Sequence, residues 1–306
     1  MLREATLDDA VQIAALQDTV YPEFVRSAAS VRHYMEIVTP GSHARRWCAE
    51  VGNELIGVVA AGLNVQTSEV GVGWIDIATH SVHRGRGIGG ALYEAAERHL
   101  RDVGTRRILT ESRADAASIA FAQSRGFTQI ASNDILRLDP RTVQTAPLPT
   151  GVEVVPFAAF LDDPTALYRV DAAATFDEPG GVTWDAITYE HWLSHFWGSP
   201  TVDREASMAA LVNGEVASLT WLRTDRESGR ATNAGTGTHP DYRGKGLATA
   251  AKRASLIRAA ELGIDAVYTG NDVTNAPMQA INRELGYQPF STEIAWEKSL
   301  TATSEQ

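Results

Sequence analysis

Apolar positions along this chain switch between helical and strand-like spacing, and the order of switches occurs twice. The run Leu2-Arg3-Glu4-Ala5 is short and β-prone, and Val11, Ala14, Ala15 and Leu16 then keep helical spacing. Thr6 is placed to cap that helix, with Asp8 and Asp9 in its first turn, where negative charge is favoured. Tyr21-Pro22 breaks the pattern. A second helical stretch near Ser30 to Val38 stops at Pro40-Gly41. Arg46–Glu50 and Leu55–Leu63 flank Gly52-Asn53, a hairpin signal, and Trp74–Thr79 reads as the next strand. The order returns further on: a strand at Val152–Val155, a helix at Asp162–Ala174, a loop at Pro179-Gly180-Gly181 and a helix at Tyr189–Phe196. Val212 and Val216 then flank an Asn213-Gly214 turn. Between the halves lies DPRTVQTAPLPTG (Asp139–Gly151), with three prolines and no apolar period. The expected layout is an N-terminal domain over 1–140, a Pro-rich linker over 141–151 and a C-terminal domain over 152–306. Strands alternating with helices imply an α/β unit in each. Thr301–Gln306 reads as a disordered tail.

The repeat is sharpest at two loops. VHRGRGIGGAL (Val82–Leu92) contains Arg84, Gly85, Arg86, Gly87, Ile88 and Gly89; YRGKGLATAA (Tyr242–Ala251) contains Arg243, Gly244, Lys245, Gly246, Leu247 and Ala248. The two arginines lie 159 residues apart. Each loop runs into a helical pattern that stops at a glycine 20 residues past its arginine, Gly104 or Gly263. A short β-prone run and a second helical pattern follow, ending at Gly126-Phe127 or Gly286-Tyr287. Glycines let a backbone come close to a ligand, and a helix start offers unpaired N–H groups and partial positive charge. Such a loop suits a phosphate or pyrophosphate. A dinucleotide fingerprint is the rival, since Gly85, Gly87 and Gly90 fit G-x-G-x-x-G with Glu111 beyond. Against it, His80–Arg84 intervene between the strand and the first glycine, and Thr249 stands where the echo needs its third.

With R-G-R-G-I-G and R-G-K-G-L-A at matched spacing, the chain resembles the GNAT superfamily of N-acetyltransferases, and its tandem members in particular. The run Asn271, Asn275, Met278, Asn282 and Leu285-Gly286-Tyr287 reinforces the likeness, which covers nearly the whole chain. The resemblance implies a mixed sheet in each half, splayed where the pantetheine arm of acetyl-coenzyme A enters. It implies a pyrophosphate held by main-chain N–H groups of each loop, and a main-chain donor for the thioester oxygen at Thr79 and Thr238. The family's frequent acid, a tyrosine before the final G-F, is replaced by Ala122 in one half and Asn282 in the other. Asn271, Asn275 and Asn282 match one branch of the family. An amide can hydrogen-bond the coenzyme but supplies no proton at neutral pH.

Composition narrows the setting. The 306 residues suit two domains of about 150 residues each. A 44% hydrophobic, 21% charged chain is globular in character. Its one cysteine, Cys48, excludes an internal disulfide and a cysteine-rich metal site, and no metal-ligand spacing is present. Acidic residues interrupt the N-terminus and the longest apolar run is too short for a bilayer, so a cytoplasmic protein is expected. Residues 1–150 hold 15 basic and 17 acidic residues, a balance of −2; residues 151–306 hold 12 and 21, a balance of −9. An acidic surface disfavours nucleic acid and anionic membranes and suits a cationic acceptor.

Acetyl transfer to an amine requires a proton to leave an ammonium of pKa about 10, and a donor for the charge on the thioester oxygen. His80 and His239, each directly after its threonine, are candidate bases. Asp177 and Glu178 lie where family members bind the acceptor, with Trp184, Tyr189, Trp192 and Trp197 nearby. In the first half, Asp115 takes the place of the asparagine, an unfavourable charge beside coenzyme phosphates. The second half is therefore the expected seat of catalysis, acting on a small-molecule primary amine. The alternative is a non-catalytic acyl-coenzyme A binding or sensing protein, suggested by the missing tyrosine. The sequence leaves the oligomeric state open.

Overall fold

The computed structural model of the chain describes residues 1–37, 39–177 and 180–300. The chain divides into two compact units. One comprises Met1–Pro22, Arg26–Ser132 and the segment from Thr292 onward; the other comprises Glu23–Val25 and Asn133–Ser291. The expected disordered tail, Thr301–Gln306, lies outside the described residues.

The first unit runs β1 (Leu2–Glu4), α1 (Ala10–Val20), α2 (Ala28–Glu36), β2 (Arg45–Val51), β3 (Glu54–Leu63), β4 (Val72–Thr79), α3 (Ile88–Asp102), β5 (Arg107–Arg113), α4 (Ala116–Ser124) and the start of β6 (Thr128–Leu138). Strands β1 to β4 are antiparallel neighbours and β5 is parallel to β4. Apolar residues cover both faces. Leu92, Tyr93, Ala96 and Leu100 of α3 pack with Ile56, Val59 and Ile75; Ile13, Ala14 and Val31 pack with Leu55, Val58 and Ala78. A strand buried on both sides needs no polar alternation, which is why Leu55–Leu63 reads as a continuous apolar run.

The second unit repeats this order with β7 (Val152–Pro156), α5 (Thr165–Thr175), α6 (Tyr189–Trp192), β8 (Met208–Val212), β9 (Glu215–Asp225), β10 (Arg230–Thr238), α7 (Leu247–Glu261), β11 (Ala266–Asp272), α8 (Ala276–Leu285) and the start of β12 (Gln288–Ser299). Thr188 caps α6, and Leu193–Trp197 extend it as a π-helical turn. Strands β7 to β10 are antiparallel neighbours, and β11 is parallel to β10.

The units do not follow a single cut in the Pro-rich linker. Residues 133–138 of β6 pair antiparallel with β11, inside the second unit, and residues 293–299 of β12 pair antiparallel with β5, inside the first. Two similar strands carry no mark of which sheet edge each will join.

Both sheets open at the same place. The parallel pairing of β4 with β5 covers only Val72–Ile75, and that of β10 with β11 only Arg230–Asn233. Beyond those points, residues 76–79 and 235–238 keep their partner on one side alone. A bulge between Asn233 and Gly235 marks the divergence in the second unit.

Candidate active site

The two glycine loops fold alike. Each begins at a splayed strand end, passes through a short turn (Ser81–His83 or Pro240–Tyr242) and enters α3 or α7 through a left-handed glycine. Gly85 and Gly87 have φ of 75° and 82°; Gly244 and Gly246 have 75° and 74°. A side chain at these positions would be strained by the backbone alone. Neither helix has a side-chain N-cap, so its first N–H groups point into the loop. Arg84 Nε donates to the Thr79 carbonyl and Arg243 Nε to the Thr238 carbonyl, both at 3.3 Å.

Strand geometry also fixes where Thr79 and Thr238 point. The His80 N–H donates to Ile56 O and the His239 N–H to Ala217 O, both at 2.9 Å. Alternate N–H groups of an antiparallel strand face opposite ways, so those of Thr79 and Thr238 face the splay. His80 and His239 have matching local tasks. The Nδ1 of each accepts a turn N–H, from Val82 or Asp241, at 3.4 Å.

The loops, helix starts and splays recur as one constellation in both units. The chain matches the acetyltransferase (GNAT) family over residues 11–127 and again over 167–287. The chain belongs to this family. It is similar to mycothiol acetyltransferase of Acidothermus cellulolyticus, 26% identical over 243 residues that cover 72% of this chain and 70% of that one. It is equally similar to mycothiol acetyltransferase of Saccharomonospora viridis, 26% identical with 79% of each chain covered. Among solved structures, a tandem GNAT protein from the clavulanic acid biosynthesis pathway superposes with a TM-score of 0.75 at 19% identity, covering 100% of this chain and 99% of that one. A GCN5-related N-acetyltransferase from Sphaerobacter thermophilus gives a TM-score of 0.70 at 19% identity, covering 98% and 95%. Both have the same tandem α/β fold. Among the described residues no helix is long and apolar enough to cross a membrane.

The GNAT units differ in what lines the splay. In the second, Thr238 lies opposite Ser218, and their hydroxyls share a 2.8 Å hydrogen bond. Thr220 Oγ1 accepts from Asn233 Nδ2 at 2.8 Å and donates to Gly235 O at 3.1 Å; Thr236 Oγ1 donates to Asn233 Oδ1 at 3.1 Å. In the first, Thr79 faces Gly57, and Ala78 faces Val58. There Asp115 caps α4, accepting from the Ser118 N–H and hydroxyl at 2.9 and 2.8 Å. Burial acts to raise the Asp115 carboxyl, but the Ser118 hydrogen bonds and the Arg84 charge outweigh it and hold the group ionised below its usual range. That places a fixed negative charge beside the first loop.

The asparagines of the second unit are engaged in packing. Asn275 is the N-cap of α8 and accepts from the Met278 N–H at 3.2 Å. Asn282 is fully buried; its Nδ2 donates to Asn271 Oδ1, and its Oδ1 accepts from Lys252 Nζ at 2.7 Å. Asp177 pairs with Arg243 at 2.8 Å, which ties it to the second glycine loop. Glu178 lies outside the described residues.

Sequence reasoning passed over Lys252 and Asp171. Lys252 is 1% exposed, and Asp171 accepts from the Trp192 indole at 2.7 Å. Both interrupt an apolar stripe: Lys252 precedes Leu256 by one helical turn, and Asp171 follows Leu167 by one. A charged residue at a stripe position was the signal available.

Proposed function

We propose that this chain transfers acetyl from acetyl-coenzyme A to a small-molecule primary amine, and that its second unit carries the catalysis. The observation that carries this reading is the Thr238 N–H facing the splay of β10 and β11, beside a hydroxyl-lined strand and an uncapped helix start. The second loop fits a pyrophosphate: Gly244 has open space where a side chain would be, and its φ suits glycine alone. Arg243, Gly244, Lys245, Gly246, Leu247 and Ala248 would hold it, with Asn271 and Asn275 flanking the arm. Bound acetyl-coenzyme A would supply an activated thioester. The Thr238 N–H is then a fixed donor for negative charge on the acyl oxygen. The amine forms its C–N bond as the C–S bond breaks, and its lost proton passes to solvent or a nearby base. With His239 Nδ1 engaged by its turn, only Nε2 remains free for that role. Asn282 keeps the α7–α8 contact rigid through Lys252 rather than donating a proton.

Relatives named mycothiol acetyltransferase support a small-molecule acceptor for this chain. The first loop, Thr79 with Arg84 to Gly89, reads as a weaker second coenzyme site, because Asp115 opposes phosphates there. The test is release of free thiol across a primary-amine library, with calorimetry on Gly246→Asp. Turnover in the wild type and loss of coenzyme binding in the variant are expected. Tight coenzyme binding without thiol release from any amine would favour an acyl-coenzyme A sensor instead.

A further inference from the structure

A chain of side-chain hydrogen bonds runs from α7 through α8 to β11 in the second unit. Lys252 Nζ donates to Asn282 Oδ1 at 2.7 Å, and Asn282 Nδ2 donates to Asn271 Oδ1. Lys252 and Asn282 are buried, while Asn271 is half-buried. We propose that Lys252 is a positioning residue for the coenzyme: it fixes the direction of this chain, so that Asn271 presents its Nδ2 hydrogens, and not its oxygen, to an amide carbonyl of the pantetheine arm. This rests on the reading of the second unit as an acetyl-coenzyme A site.

Three observations carry it. The first is chemical. An asparagine side chain can turn over, exchanging donor and acceptor ends with almost no change of shape. A lysine ammonium has no such freedom, because it has three donors and no acceptor. With Lys252 at one end, the oxygen of Asn282 faces the ammonium and its amide nitrogen faces Asn271. The oxygen of Asn271 is then taken, and its Nδ2 is the open end. That Nδ2 has no hydrogen-bond partner among the described residues. Burial pushes the Lys252 ammonium down to about 7, so the donor-only form prevails in mildly acidic solution.

The second is position. The pairing of β11 with β10 ends at Thr269. Asn271 lies two residues further, on the diverging stretch, and strand alternation puts its side chain on the same face as that of Thr269. Thr269 Oγ1 is 3.5 Å from Lys252 Nζ, so this is the face that α7 covers. The same helix carries the uncapped start that meets the second glycine loop. The polar chain therefore ends at the splay, on the side of the proposed pyrophosphate site.

The third is the contrast with the first unit. Tyr93 stands at the position of Lys252, Ala122 at that of Asn282 and Ser112 at that of Asn271. Ala122 has no polar side-chain atom, so the chain is broken there. Ser112 Oγ instead accepts from the Trp296 indole at 3.0 Å. Burying an ammonium against an amide alone is costly, and a methionine would fill the same space without that cost. Fixing the direction of two amides is a task that methionine cannot perform.

Lys252→Met keeps the shape and removes every donor. Calorimetry at pH 6, on a Gly87→Asp background that disables the first loop, compares acetyl-coenzyme A with 3′-phospho-ADP, the part of the coenzyme without its arm. Lys252→Met should bind acetyl-coenzyme A about fivefold more weakly, as for a lost hydrogen bond, and 3′-phospho-ADP as tightly as its parent. Asn271→Ala should give the same split, and adding Lys252→Met to it should have no further effect. A merely structural role would shift α7 and weaken both ligands alike. If Lys252→Met fails to fold, Asn282→Leu breaks the chain one link on and should give the same split. Unchanged acetyl-coenzyme A affinity, parallel weakening of both ligands, or additive losses in the double variant overturns the proposal. Failure of the parent to bind acetyl-coenzyme A overturns the reading of the second unit and this inference together. Binding that is insensitive to position 252 leaves that reading standing and sinks this inference alone.

Discussion

Asp171→Asn should change stability in a pH-dependent way opposite to that of most carboxylate substitutions. In the folded chain the Asp171 carboxyl is raised from 3.8 to about 6, chiefly by burial among aromatic rings. Between those values the folded state binds a proton that the unfolded state has released. Stability therefore falls as pH rises from about 4, and the full cost is present above about pH 6. A shift of about two units corresponds to about 3 kcal/mol. Asparagine is neutral throughout and keeps an acceptor for the Trp192 indole. The variant should come closest to the wild type at about pH 3.5 and exceed it by up to about 3 kcal/mol at pH 7.5. At about 2–4 °C per kcal/mol for a domain of this size, its melting point should rise by roughly 6–12 °C at the higher pH. Melting curves of both proteins at several pH values between these limits measure the difference. A variant that is less stable at pH 7.5, or a difference that does not change with pH, would refute the argument that this carboxylate is held at a cost.

Two further outcomes follow from the site. Lys252 is fully buried, and burial pushes its ammonium down to about 7, below the unfolded value of 10.5; its charge thus costs stability at low pH, and the cost disappears as pH rises from 7 toward 10. Lys252→Met should be most favourable relative to wild type near pH 6 and lose that advantage by several kcal/mol near pH 10, in urea melts at both pH values. Asp177→Asn releases Arg243 from a half-exposed ion pair worth about 0–1 kcal/mol, so acetyl-coenzyme A should bind up to about fivefold tighter in calorimetry while the amine KM stays unchanged.

Much of the scaffold was legible in the sequence because periodicity and turn chemistry are local. The hairpins at Gly52-Asn53 and Asn213-Gly214, the helices after each loop and the strand ending at Thr79 all lie where spacing put them. The glycine loops were legible because positive φ leaves glycine little competition. What the sequence withheld depends on distance in space. Nothing in Thr128–Leu138 or Gln288–Ser299 says that one pairs with β11 and the other with β5. Asp177, expected near the acceptor because it lies where family members bind theirs, has Arg243 as an ion-pair partner that spacing alone did not reveal. Asp171 is six residues earlier, hidden in an alanine-rich helix whose buried face only the fold defines.

Uncompensated charge also distinguishes the second unit from the first. Tyr93 and Lys252 each lie nine residues past their loop arginine. In the first unit the ammonium near that point belongs to Lys298, which reaches Tyr93 Oη at 2.8 Å and Glu97 at 3.0 Å, so its charge is neutralised by an adjacent carboxylate. In the second unit Lys252 Nζ has Asn282 Oδ1 at 2.7 Å and the face of Tyr287 at 5.2 Å, and no carboxylate partner among the described residues. The Tyr287 hydroxyl is buried without a hydrogen-bond partner among the described residues. Asp171 repeats the pattern with the opposite sign. A methionine at 252 and an asparagine at 171 would each relieve a burial cost, and the first unit shows that this fold can arrange its charges in balanced pairs. Sequences that break such rules locally do so where function compensates. In this chain both exceptions, a lysine depressed toward neutrality and a carboxylate raised toward it, stand on helices that flank the splay of β10 and β11.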